Sequence, residues 1–127
     1  MPKILSIVET AYRATIEEQD DTILWLSHML KNSGADLSIL LRVNAVNYAA
    51  KGQDASGLSF GEITMTHPPE IDKDVEKLIE KGVPVYLVEE DARDRGLSEE
   101  DLISGIKKLK RQDLPALIDQ HDQIWHW

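Results

Sequence analysis

Three short apolar runs constrain this chain more than any other feature. They are KILSIV at residues 3–8, DLSILLR at 36–42 and VPVYLV at 83–88. Each is apolar without alternation and carries β-branched residues. A strand that buries one face alternates apolar and polar positions. A strand that buries both faces does not, and burial on both faces belongs to parallel sheets covered by helices. In the third run Pro84 fits only at the strand's beginning, where no ladder hydrogen bond is lost. QIWHW at residues 123–127 is read as a terminal strand.

Helical patterns fill the gaps. Residues 17–31 place Ile23, Leu26 and Leu30 at helical spacing, with Trp25 and Met29 beside them. Asp20 and Asp21 complement the dipole near the start, and Gly34 is a plausible left-handed cap. A short helix over 44–51 stops at Gly52. Residues 53–67 read as a long irregular loop with room for one helical turn, closed by His67-Pro68-Pro69. A helix over 71–81 shows Ile71, Val75, Leu78 and Ile79 on one face. Residues 89–95 form a charged loop or helical turn. Ser98 caps a helix, with Asp101 at its third position, predicted to run to Lys110. A last helix covers 114–119. The alternation predicts one α/β domain over residues 1–127: a three-layer sandwich around a mainly parallel, flavodoxin-like sheet of about five strands.

Composition narrows the chemistry. With 127 residues and 42% hydrophobic content, the chain is long enough for one core. It has no cysteine, which excludes disulfides, thiolate metal sites, persulfide carriage and cysteine nucleophiles on this chain. The net charge of −9 provides no broad basic footprint, so direct nucleic-acid binding is not expected and an anionic membrane repels it. The one basic stretch, Lys107, Lys108, Lys110 and Arg111, reads as a solvated helix end. No apolar run is long enough to span a bilayer, and Met1-Pro2-Lys3 does not open a signal peptide. The expected location is cytoplasmic.

Ligands of open parallel sheets bind beyond the carboxyl ends of the strands. Three loops meet there. The first brings Glu9, Thr10, Tyr12 and Arg13, the second Arg42, Asn44 and Asn47, the third Glu89, Glu90, Asp91, Arg93 and Arg95. Crowded carboxylates at 89–91 raise one another's pKa and suit acid–base work or a hard cation; the alternative is a solvated turn paired with Arg93 and Arg95. Arg13 and Arg42 would anchor an anion, and His67 would sit on a mobile lid. No phosphate loop, dinucleotide fingerprint, nucleophile elbow or zinc motif occurs, and His28, His67, His121 and His126 lack metal spacing. The sequence specifies no cofactor and no metal. Trp125 and Trp127 fall on one face of the last strand and His126 on the other, marking either core packing or a subunit interface.

Taken together, the N-terminal strand and its polar loop, the entry Gly82-Val83-Pro84-Val85-Tyr86, the turn Arg95-Gly96-Leu97, the pair Gly105-Ile106 in the next helix, and the Leu114–Leu117 helix before a closing strand resemble the DsrE/DsrF/DsrH-like family of small sulfur-relay proteins. The resemblance spans most of the chain. It implies a flavodoxin-like sheet and an oligomer, either of this chain or with related DsrE-like subunits, serving a sulfur-handling protein partner. Carrier members of that family hold a cysteine at the end of the third strand. Here that position is Val88, so the resemblance implies a non-catalytic, partner-binding or assembly subunit without sulfurtransferase activity of its own. The acidic charge would steer it toward a basic partner. The rival expectation is a small-molecule or metal-binding protein, or an enzyme, using the acidic strand-end pocket.

Overall fold

The computed structural model describes residues 2–11, 22–53, 59–64 and 70–127. In chain order the elements are β1 (Lys3–Val8), α1 (Thr22–Asn32), β2 (Asp36–Leu41), a 3-10 helix (Val43–Ala49), β3 (Ser59–Phe60), β4 (Ile63–Thr64), α2 (Ile71–Glu80), β5 (Val85–Val88), α3 (Glu89–Asp94), β6 (Lys107–Leu109), α4 (Leu114–Asp119) and β7 (Gln123–His126). Five strands form one parallel sheet in the order β6-β5-β2-β1-β7. The parallel, helix-covered sandwich expected from the apolar runs is what forms.

Connection geometry explains the layers. From β1 through β2 and β5 to β6 the chain steps in one direction across the sheet. Right-handed crossovers then place every intervening helix on one face. The step from β6 to β7 runs back to the far edge, so α4 lies on the opposite face. The core splits accordingly. On the first face Ile23 and Leu24 of α1, Val75 and Leu78 of α2, and Tyr48 of the 3-10 helix pack on Val8, Ile39, Leu41, Val85 and Leu87. On the second face Leu114 and Leu117 of α4 pack on Leu5, Ile7, Leu40 and Val88. Alternate residues of each central strand thus feed different cores, which is why those strands read as unbroken apolar runs. The layering is flavodoxin-like, but the order across the sheet differs from the 2-1-3-4-5 of flavodoxin itself. The direction of stepping reverses between β1 and β7.

Two sequence expectations are corrected. The helix expected over 98–110 is a single 3-10 turn at Glu99–Asp101 followed by strand β6. Its start was legible: the Asp101 carboxylate accepts the Ser98 N–H at 2.9 Å. It stops because Leu102 turns extended and bridges Ala50, and Ile103 N–H bonds to Ala49 O. Lys107 and Lys108 therefore lie on an edge strand, not a helix end. Within residues 53–67, of which 53 and 59–64 are described, the irregular loop gives way to a small antiparallel hairpin, β3 with β4, turning at Gly61. The first helix is described from Thr22; residues 17–21 lie outside the described part. Elsewhere the helix expected at 44–51 takes the tighter 3-10 form, and the charged turn at 89–95 is helix α3.

Gly105 makes the turn into β6. Its φ is +88°, and a Cβ there would meet Ile79 Cγ2 at 2.9 Å. Replacing Gly105 by Ala is expected to cost roughly 1–3 kcal/mol, from backbone strain plus the contact with α2. Chemical denaturation of the variant checks this; an unchanged midpoint would contradict it.

Candidate functional site

The polar groups at the carboxyl ends of the strands assemble around Asp91. Strand β5 ends at Val88 and α3 starts at once, so Glu89, Glu90 and Asp91 occupy the first helical turn. Asp91 is 8% exposed. Its Oδ2 accepts the Val43 N–H at 2.8 Å, and its Oδ1 accepts from Arg111 at 2.7 Å. Val43 has a φ of +53°, an unfavourable region for a β-branched residue. Asp91 thus holds in place the strained residue at which the chain leaves β2 for the 3-10 helix. Arg111 also donates its backbone N–H to both Glu90 carboxylate oxygens at 3.0 Å. Arg95 reaches across from the end of α3, donating twice to Asn44 Oδ1 (3.1 and 3.0 Å) and once to Asp91 O (3.2 Å).

Electrostatics reverse the sequence expectation for the acidic cluster. Burial pushes the Asp91 carboxyl up, but the Val43 N–H and the Arg111 guanidinium outweigh it, and the net pKa is lowered. The Arg111 N–H lowers Glu90 as well. The reciprocal bond from Asp91 raises Arg111. Both carboxylates stay ionised instead of being held protonated for acid–base work. The Asp91 ion pair is with Arg111 rather than with Arg93 or Arg95. Among the described residues no group of three His, Cys, Asp or Glu converges to hold a metal ion.

A second cluster lies where the stepping of the strands reverses. Glu9 follows β1, and its Oε1 lies 3.2 Å from Arg42 Nε and 2.9 Å from His126 Nε2. The Glu9 and Thr10 N–H groups both point at Trp127 O, at 3.0 and 3.4 Å. Trp127 donates its indole N–H to the buried Ser6 hydroxyl at 3.0 Å and packs on the first core. Trp125 is half-buried on the same face of β7. Asn47 donates to Asn44 O at 3.0 Å. Glu89 is half-buried. Tyr12, Arg13 and His67 lie outside the described residues.

Structure therefore joins Glu9 with Arg42 and His126, and Asn44 with Arg95, Asp91 and Glu90. The residue that sequence reasoning missed is Arg111. No periodicity announced it: Ile106 to Leu109 shows no polar–apolar alternation, and only the pairing of β6 with β5 brings Arg111 beside Asp91. Val88, the last residue of β5, is 0% exposed and packed in the second core beneath α4.

This architecture occurs among solved proteins. The ychN protein from E. coli superposes with a TM-score of 0.73 at 22% identity, with all of both chains covered. The two chains share a fold. A protein of unknown function from Methanobacterium thermoautotrophicum aligns at a TM-score of 0.64 and 15% identity, over 98% of this chain and 99% of that one. A conserved protein of unknown function from Bacteroides thetaiotaomicron aligns at 0.67 and 14%, over 98% and 95%. No family profile matches the chain, and no curated protein is similar to it in sequence. Among the described residues no helix is long and apolar enough to cross a membrane.

Proposed function

We propose that this chain is a non-catalytic DsrE-like subunit with a partner-binding or assembly role in a sulfur-relay or sulfur-metabolism system. It would associate with copies of itself or with related DsrE-like subunits, and with a sulfur-handling protein partner. The observation that carries the reading is Val88. The family resemblance puts a carrier cysteine at the end of β5; here that position holds a fully buried valine, and the chain has no cysteine at all. A persulfide carrier needs an accessible sulfur in an electropositive setting. The polar groups that surround the strand ends support the same reading. Asp91, Glu90, Arg95 and Arg111 bond to one another or to backbone, and Glu9 and Arg42 form an ion pair, which makes a frame rather than a reacting centre.

Tagged protein recovered from its native lysate at low salt, with mass spectrometry of the eluate, tests this. The expected result is co-elution of a cysteine-bearing DsrE-like subunit or another sulfur-handling protein. The net charge of −9 makes recovery salt-sensitive if the partner is basic. Recovery of the chain alone, as a monomer, contradicts the proposal.

A further inference from the structure

The two edges of the sheet are not alike. Edge strand β6 exposes Lys107 and Lys108, the usual protection against strand addition. Edge strand β7 and the following residue read Gln123, Ile124, Trp125, His126 and Trp127, with no Lys, Arg, Asp, Glu or Pro. Ile124 is 40% exposed. Among the described residues no strand lies on the outer side of β7.

The backbone on that side is self-complementary. Trp127 donates its N–H to Ile7 O at 2.9 Å and accepts the Glu9 N–H at 3.0 Å. In a parallel pair a residue bonded this way alternates with one whose N–H and C=O both point away. Trp125 and Trp127 therefore turn their backbone to β1, and Ile124 and His126 turn theirs outward. Two-fold symmetry makes a second β7 run antiparallel to the first. Keeping each layer of the sandwich continuous across the seam then requires even-numbered positions to face even-numbered ones.

From this we infer that β7 is the seam between two copies of this chain. They join antiparallel into one continuous sheet, with Ile124 opposite the partner subunit's His126 and Trp125 opposite the partner subunit's Trp125 at the dyad. The inference rests on the reading of the chain as an assembly subunit and names the surface. A second copy is the occupant that the charges favour. Two molecules carrying −9 each repel one another, and they meet at least cost along a strand without Lys, Arg, Asp or Glu; its one titratable side chain, His126, is already paired with Glu9 of its own chain and so is not held out to a foreign partner. The other self-pairings are worse. Two β6 edges would oppose lysines, and β6 against β7 is heterologous, bringing Lys107 and Lys108 against an uncharged strand and closing only into a ring of several copies or else propagating as a filament.

The chain's lack of cysteine gives a direct test. In this register the paired Trp125 positions form a non-hydrogen-bonded antiparallel pair, with Cα atoms about 4.5 Å apart, within disulfide range. Trp125→Cys should therefore give a covalent dimer under mild oxidation, while Gln123→Cys, placed opposite the partner subunit's Trp127, should not. Ile124→Pro removes an outward N–H without touching a bond to β1, so it should stay folded by circular dichroism and lose half the assembly's mass in sedimentation. If the wild type is oligomeric but Trp125→Cys does not cross-link and Ile124→Pro keeps its mass, the seam is wrong and the assembly reading stands. A wild type that is monomeric at all concentrations overturns both. Cross-linking of Trp125→Cys to a different protein instead of itself overturns the second copy as occupant.

Discussion

Replacing Asp91 by Ala is expected to lower the melting temperature by roughly 10 °C, from a loss of about 2–3 kcal/mol. The cause is what the variant leaves behind. The Val43 N–H loses its acceptor at a strained φ, and Arg111 loses the partner that positions the chain between β6 and α4. Arg111 itself is 52% exposed on its side chain, so water recovers part of its loss, and the backbone donor carries most of the cost. The effect depends on pH with a definite sign. Asp91 and Glu90 both have folded pKa values below their ordinary ones. Such groups contribute stability above their unfolded pKa, near about 4, and lose it as pH falls toward the folded value. The gap between wild type and Asp91→Asn should be full at neutral pH and shrink below about pH 4. Thermal melts across that range check this; a gap that widens on acidification would contradict the assigned roles.

Leu5→Ala should cost about 3–4 kcal/mol, among the larger effects a single truncation produces. Leu5 is 0% exposed, on β1 between β2 and β7, and packs in the second core with Ile7, Leu40, Val88, Leu114 and Leu117. Most of those neighbours sit on strands held by ladders on both sides, so the cavity cannot close around a missing side chain. Leu117→Ala opens the same core from α4, a six-residue helix that can settle onto the sheet. Its cost should be smaller, about 2 kcal/mol. Urea denaturation with unchanged slopes separates the two. Equal losses would mean that α4 is held as rigidly as the sheet.

Legibility of the sequence tracked how much each segment buries. Strands β1, β2 and β5 were plain because residues such as Leu5 and Val8, or Ile39 and Leu40, feed opposite cores and leave no polar alternation. Strand β6 was hidden for the converse reason. Lys107 and Lys108 are exposed and Leu109 only half-buried, so the run looks like the polar end of the helix that Ser98 and Asp101 announce. Losing β6 also lost Arg111 as a site residue, since only the strand brings it to Asp91. The position rule for parallel sheets points to the strand ends where Asn44, Arg95 and Asp91 meet, and where Glu9 pairs with Arg42. It does not reach their chemistry: a run of three acidic residues suggests mutual repulsion, and only the fold supplies the Arg111 N–H and guanidinium that lower the carboxyl pKa values. Trp127 was legible as an aromatic anchor, but its bond to Ser6 depends on the reversal that places β7 beside β1.

The most direct test of the account is the intact mass of the untagged native assembly, measured by native mass spectrometry at low salt. The account predicts species well above the 14.4 kDa chain, built from several copies or from this chain with a cysteine-bearing DsrE-like subunit. A lone 14.4 kDa species at every concentration would contradict it.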